Sequence, residues 1–210
     1  MDLKRNTIKP FLLVTPSPLS MAARKGFLEV VKTLIEFGAN INALSAIDSS
    51  PIFEACKKGL KILLKFGAAI DIIDTKGNSA LFKASSNGHI KVVRLLLKHG
   101  AKTDTKNTEK ETPLSIAVSN NHLNVVEELL KAVVNIGMEE SAAIHHAVRN
   151  NQSEIVELLL HHGADVNVQN SKGMTPLMNC TRLKSVQIFE ILLNTLKAEG
   201  AGRERKKSQL

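Results

Sequence analysis

Four of the seven histidines fall in two adjacent pairs sixteen residues apart, His145-His146 and His161-His162. Neutral imidazole is the commonest protein ligand for metals, and two or three such rings meeting at one point would begin a tetrahedral zinc site. That meeting requires each pair to sit on one of two antiparallel helices, so that the start of the first lies beside the end of the second. The other reactive side chains are Cys56 and Cys180. Two cysteines make no disulfide framework, which fits a reducing compartment. A thiol nucleophile needs a neighbouring base and a pocket; the sequence signals neither, and a free cysteine at a small-residue position packs as a small hydrophobe. No phosphate loop, zinc-protease helix or Gly-x-Ser-x-Gly elbow occurs. The sequence therefore assigns no catalytic residue, cofactor or metal ligand, and an enzyme built around the histidines is the minor alternative.

The elements that carry these residues belong to a folded chain. Of 210 residues, 43% are hydrophobic and 23% charged, which separates the sequence from disordered ones. Aromatics are only 3%, with no Trp or Tyr, so base-stacking recognition of nucleic acid lacks its platforms. The net charge of +8 is uneven. Residues 1–102 carry 16 Lys and Arg against 7 Asp and Glu, or +9; residues 103–196 carry 7 against 11, or −4; residues 197–210 carry 5 against 2, or +3. Such a field steers partners and selects among them. The Phe11-Leu12-Leu13-Val14 run is too short for a signal-peptide core, and no stretch approaches the ~20 apolar residues of a membrane helix. The expectation is a soluble, monomeric, cytoplasmic protein, with Arg203-Glu204-Arg205-Lys206-Lys207 as a nuclear-import address in the alternative.

The organisation is repetitive. Units begin at Ser17-Pro18-Leu19, Ser50-Pro51-Ile52, Ser79-Ala80-Leu81, Thr112-Pro113-Leu114, Ala142-Ala143-Ile144 and Thr175-Pro176-Leu177, at spacings of 33, 29, 33, 30 and 33 residues. Ser or Thr before Pro is a helix start, because the hydroxyl caps free N–H groups and Pro suits the first turn. A short helix then reaches a turn residue: Gly26, Gly59, Gly88, Asn121 or Asn151. A second helix follows with apolar residues at helical spacing, as in Val92, Val93, Leu95, Leu96 and Leu97. Gly38-Ala39, Gly67-Ala68, Gly100-Ala101 and Gly163-Ala164 end it. One unit cannot bury its apolar face alone; stacked neighbours bury it.

Ser50-Pro51, Thr112-Pro113-Leu114, Thr175-Pro176-Leu177, Asn87-Gly88-His89, Leu95-Leu96-Leu97-Lys98-His99-Gly100-Ala101 and Leu158 through Asn167 together resemble the ankyrin repeat family over residues 12 to 196. The resemblance implies an all-α solenoid of about six helix-turn-helix units with short hairpin connections. The units lie near 12–45, 46–74, 75–107, 108–137, 138–170 and 171–196, after an N-terminal arm at 1–11 and before a basic disordered tail at 197–210. It also implies that His145 bonds to local backbone and that His161 and His162 are variable surface residues, against a zinc site.

Three departures stand out. Gly59 to Gly67 spans eight residues where Gly26 to Gly38 and Gly88 to Gly100 span twelve. Four residues is close to one helical turn, so the second helix of unit two is expected to lose a turn and leave a weak joint or kink, a simply tolerated deletion being the alternative. Unit four lacks its terminal Gly-Ala, which predicts an abbreviated hairpin. Unit six mixes Glu190 and Asn194 into its outer helix, which suits a polar terminal cap.

In the resembled family partners meet a concave face, built from hairpin tips and the exposed end of each first helix. Carried over, the helix ends are Arg24-Lys25, Lys57-Lys58, Ser86-Asn87, Ser119-Asn120, Arg149-Asn150 and Arg182-Leu183. The tips are Ile47, Ser49, Thr75, Lys76, Asn78, Thr108, Glu109, Glu111, Met138, Glu139, Ser171, Lys172 and Met174. The first two pairs present four cations and the middle pairs present Ser and Asn. The expected partner is thus another protein whose acidic segment crosses units one and two; neither a small-molecule substrate nor DNA is expected. Ordinary solvated charges are the competing reading of these positions. The functional alternatives are the ankyrin portion of a larger adaptor, channel or toxin-like protein, and binding of anionic lipid or RNA through the basic half and tail.

Overall fold

The structure, a computed structural model, describes residues 16–44, 50–55, 57–132, 143–183 and 185–207, with the backbone alone at 57, 58, 182, 183 and 201–207. The described residues form helices in antiparallel pairs: α1 (Pro18–Lys25) with α2 (Leu28–Glu36), α3 (Pro51–Glu54) with α4 (Lys57–Lys65), α5 (Ala80–Ser86) with α6 (Ile90–Lys98), α7 (Pro113–Ser119) with α8 (Leu123–Ala132), α9 (Ala143–Arg149) with α10 (Ser153–His161), and α11 (Pro176–Leu183) with α12 (Val186–Lys207). Each pair packs on the next, first helix against first helix and second against second. The expected all-α solenoid is thus the observed architecture.

Local chemistry accounts for the starts and turns. Ser17, Ser79 and Thr112 accept hydrogen bonds from the backbone N–H of Ser20, Phe82 and Ser115 at 3.1, 3.2 and 3.2 Å. Thr112 and Ser115 cap each other reciprocally. Asn121 and Asn151 hold φ of 59° and 57°, the left-handed region that Asn tolerates better than most residues. The core runs as a line of buried residues between the helix rows, including Leu19, Leu60, Leu63, Leu81, Leu96, Leu114, Leu129, Ile144, Ile155, Leu159, Ile188 and Leu192.

Repeat two departs from expectation in the helix that shortens. The second helix, α4, keeps nine residues, as α2 and α6 do. The first helix, α3, has only four and ends at Glu54, since Ala55 with ψ of 125° is extended. Gly59 is therefore not a turn residue but lies inside α4, and Lys57 and Lys58 form the first turn of α4 rather than the end of a first helix. The physical reason is burial. Leu60, Ile62 and Leu63 sit between α2 and α6, and a shorter α4 would uncover them.

The residues expected to begin a disordered tail at 197 instead continue α12 to Lys207, since Lys, Ala, Glu and Arg favour helix. The arm at 1–11, Cys56, Ile47, Ser49, Met138, Glu139 and the hairpin after unit four lie outside the described residues.

Candidate partner-binding surface

The ends of the first helices are joined to the following repeat by side chains that reach backward. Asn120 donates from Nδ2 to the Ser86 carbonyl at 2.8 Å and to Ser86 Oγ at 3.2 Å. His122 Nε2 meets the same carbonyl at 3.0 Å. One repeat later, Asn150 Nδ2 reaches the Ser119 carbonyl at 3.4 Å and Gln152 Nε2 the Val118 carbonyl at 2.9 Å. These bonds satisfy carbonyls that a helix end leaves open. Gly88, with φ of 68°, makes room for the His122 ring: a Cβ there would lie 2.7 Å from His122 Nδ1.

The expected polar contact residues are accordingly already in use. Ser86, Ser119, Asn120 and Asn150 link repeats to one another, and Asn87 donates to the Lys83 carbonyl. Arg149 donates to His146 Nδ1 at 3.0 Å, and Ser119 Oγ approaches the same nitrogen at 3.3 Å. Arg24 is exposed and pairs with Glu54 at 3.6 Å; Lys25 is exposed. Arg182 lies in the last turn of α11. The tips behave as a set: Asp74, Asn107 and Asn170 each accept two backbone N–H groups across the turn, from Lys76 and Asn78, from Glu109 and Glu111, and from Lys172 and Met174. Asp74 also pairs with Lys83 at 2.9 Å. Burial raises its pKa, but the bonds from Lys83 and Asn78 outweigh burial and hold it below the usual carboxylate value.

The histidines do not converge. Among the described residues no group of three or more His, Cys, Asp or Glu is placed to hold a metal ion. His145 does not bond within its own helix: its Nε2 meets the Val168 carbonyl at 3.0 Å and its Nδ1 accepts from Asn179 Nδ2 at 3.0 Å, across to the sixth repeat. Burial lowers its pKa. His161 and His162 meet edge to face on the outer side, their ring centroids 5.6 Å apart. Cys180 is buried, its thiol facing the Ser185 carbonyl at 3.3 Å, and burial pushes its pKa up, away from the reactive thiolate.

Where α3 stops short, the inner face opens into a cleft of about 620 Å³ between the end of α1, α3, α5 and the first turn of α6. Ile52, Phe53, Ala84, Ile90 and Val92 supply apolar walls; Arg24, Lys83 and Lys91 supply cations and Glu54 a carboxylate. Lys83 Nζ lies 4.4 Å from the centroid of the Phe53 ring.

The model of ankyrin repeats in three copies matches residues 19–107, 52–140, 100–170 and 134–202. The chain belongs to the ankyrin repeat family. Ankyrin repeats are in general protein–protein interaction modules, and the match brings no catalytic family with it. A curated relative, the ankyrin repeat and KH domain-containing protein mask-1 of Caenorhabditis elegans, is 29% identical over 178 residues. That alignment takes in 84% of this chain and only 6% of the relative. An ankyrin repeat domain from Acinetobacter baumannii superposes with a TM-score of 0.74 at 27% identity, covering 85% of this chain and 97% of that one. The ankyrin repeat domain of Bcl-3, a member of the IkappaB protein family, superposes with a TM-score of 0.77 at 24% identity, covering 85% and 86%; at that identity it shows the fold alone.

Against the ankyrin pattern, sequence reasoning missed the cleft and its residues Lys83, His89 and Lys91. The eight-residue spacing of unit two was the available signal. It was spent on the wrong helix, because spacing counts residues without saying which element gives them up. Asp74, Asn107 and Asn170 were also missed, although each stands five residues before a helix cap.

Proposed function

We propose that this ankyrin array is a scaffold or adaptor that holds a partner protein on its inner face, with an acidic segment of that partner lying over repeats one and two. No step of catalysis and no cofactor belongs to this reading. One observation carries it: Arg24 and Lys25 stand exposed at the end of α1, and Arg24 lines a cleft that Lys91 also lines, in the half of the chain that holds a charge of +9. Lys57 and Lys58 extend the same basic stretch into the first turn of α4. The Ser and Asn pairs of the middle repeats join the repeats together, so they shape this surface more than they serve as its free donors.

The test is capture of partners by the whole chain, identification by mass spectrometry, and measurement of association rates with the purified partner. Arg24→Glu with Lys25→Glu, and separately Lys57→Glu with Lys58→Glu, are expected to slow association about tenfold at low ionic strength, with the difference shrinking as salt rises. Rates that do not change at low ionic strength in either double variant refute the basic-face reading.

A further inference from the structure

The backward-reaching bonds identify what the cleft lacks. In repeats four and five, the residues seven and nine positions past the first residue of the first helix, Asn120 with His122 and Asn150 with Gln152, take carbonyls at the end of the preceding first helix. Repeat three carries the same equipment, Asn87 and His89. The helix before it, α3, ends at Glu54, so the reach has no helix end to meet. Asn87 instead turns back to the Lys83 carbonyl at 2.8 Å. The His89 side chain is exposed at the cleft wall, with no hydrogen-bond partner among the described residues. Next to it Lys91 is exposed and makes no ion pair among the described residues.

We propose that the cleft is the anchor point for a peptide segment of the partner, which takes the place of the missing helical turn: one bulky apolar side chain packs on Ile52, Phe53, Ile90 and Val92, while carboxylates or carbonyls beside it are taken by His89, Lys91 and Arg24. Charge selects the flanking residues. Three cations line the cleft against one carboxylate, Glu54, and that carboxylate already pairs with Arg24. Size suits the anchor, since about 620 Å³ lies within the range of pockets that bury an organic side group. His89 fits a main-chain carbonyl of an extended or helical segment, because its counterparts His122 and Gln152 in repeats four and five hold such carbonyls. This inference rests on the inner-face reading above and narrows it to one anchor.

The test is fluorescence anisotropy with the whole chain and a labelled synthetic peptide carrying a central Leu-Phe pair flanked on each side by Asp and Glu. Saturable binding is expected, weakened about tenfold or more when Lys replaces the acids or Ser replaces Leu-Phe. His89→Ala and Lys91→Glu, both at exposed positions, are expected to weaken it comparably. A third variant restores the turn by inserting a copy of residues 117–120 after Ala55, and its fold is checked by circular dichroism; it is expected to abolish binding. Absence of saturable binding, equal binding of the Lys-flanked peptide, or indifference to Lys91→Glu overturns the proposal. A captured partner that binds the insertion variant normally, yet loses affinity in the Arg24→Glu, Lys25→Glu variant, overturns the cleft and leaves the inner-face reading standing.

Discussion

Repeats three to five and repeat two solve the same stacking problem with different means. In repeats three and four the first helix has seven residues, its cap is bonded, and its far end is tied to the next repeat by Asn and His side chains in one case and Asn and Gln in the other. In repeat two the first helix has four residues, the hydroxyl of Ser50 is buried without a hydrogen bond among the described residues, and no such tie reaches it. Repeat two is held by α3 against α1 and by its second helix, which leans on α1 and α2 of the preceding repeat more than on its own α3. Gly59 permits this approach: a Cβ there would lie 2.1 Å from the Ala23 carbonyl oxygen. A solenoid therefore gives up a turn at the exposed rim, where little apolar area is lost, and keeps the helix that its neighbours bury.

The largest effect that would break this comparison is expected at Gly59. By helix propensity alone, Gly→Ala inside α4 would stabilise by up to ~1 kcal/mol. Overpacking against fixed backbone costs about 1–3 kcal/mol and more when neither side can move. Gly59→Ala is thus expected to lower stability by about 2 kcal/mol or more in urea unfolding. Gly200→Ala in α12, where nothing lies within 4 Å, is expected to be neutral or mildly stabilising. A stabilised Gly59→Ala would show that α4 does not rest on α1.

Next comes the carboxylate that ties the tip of repeat three to α5. Asp74→Asn loses the charge-assisted bond to Lys83 and is expected to cost about 2 kcal/mol at neutral pH. Because the native carboxyl titrates below its ordinary value, its contribution is full above the unfolded value near ~4 and disappears as pH falls through the native one. The gap between variant and parent should narrow in denaturation series taken below the ordinary carboxylate value, and a pH-independent gap would mean that the charge of Asp74 is not what matters.

A smaller effect sharpens the contrast between caps. Thr112→Ala removes a reciprocal cap and is expected to cost about 1 kcal/mol. Ser50→Ala removes a buried hydroxyl that caps nothing, and is expected to be neutral or slightly stabilising in the same thermal melts. Equal losses at the two positions would erase the distinction drawn between these helices.

The smallest effect concerns His145, which joins repeat five to repeat six as a neutral ring. Burial lowers its pKa, partly offset by the bond to the Val168 carbonyl. Its contribution is therefore present above the unfolded value near ~6.5 and lost as pH falls through the lower native one. Hydrogen-exchange protection around 168–180, taken relative to the intrinsic exchange rate at each pH, is expected to fall on acidification past that point in the parent chain and to respond less in His145→Gln. Matched profiles would remove His145 from the account.

Much of this was open to inspection in the residues themselves. Ser17, Ser79 and Thr112 start helices because a hydroxyl before an apolar run has little else to bond, and Gly26, Gly88, Asn121 and Asn151 turn because few other residues hold a positive φ. The basic pairs were also legible, but not their place in the fold. Lys57-Lys58 was assigned to the end of a first helix and lies in the first turn of α4, and Asn120 and Asn150, expected as contact residues, bond to the preceding repeat. His145 was expected to bond to local backbone, yet its partner lies twenty-three residues away, beyond any local rule.

The sequence by itself determined the repeat number, the pairing of short helices, the positions of most caps and turns, and the charge asymmetry along the array. Each of these follows from preferences that act within a few residues of the chain. The tertiary structure alone decided which helix of repeat two surrendered its turn, which polar side chains the stack consumes, and where a cleft opens. Those outcomes depend on how much apolar surface each neighbour buries, and that quantity exists only once the repeats are stacked.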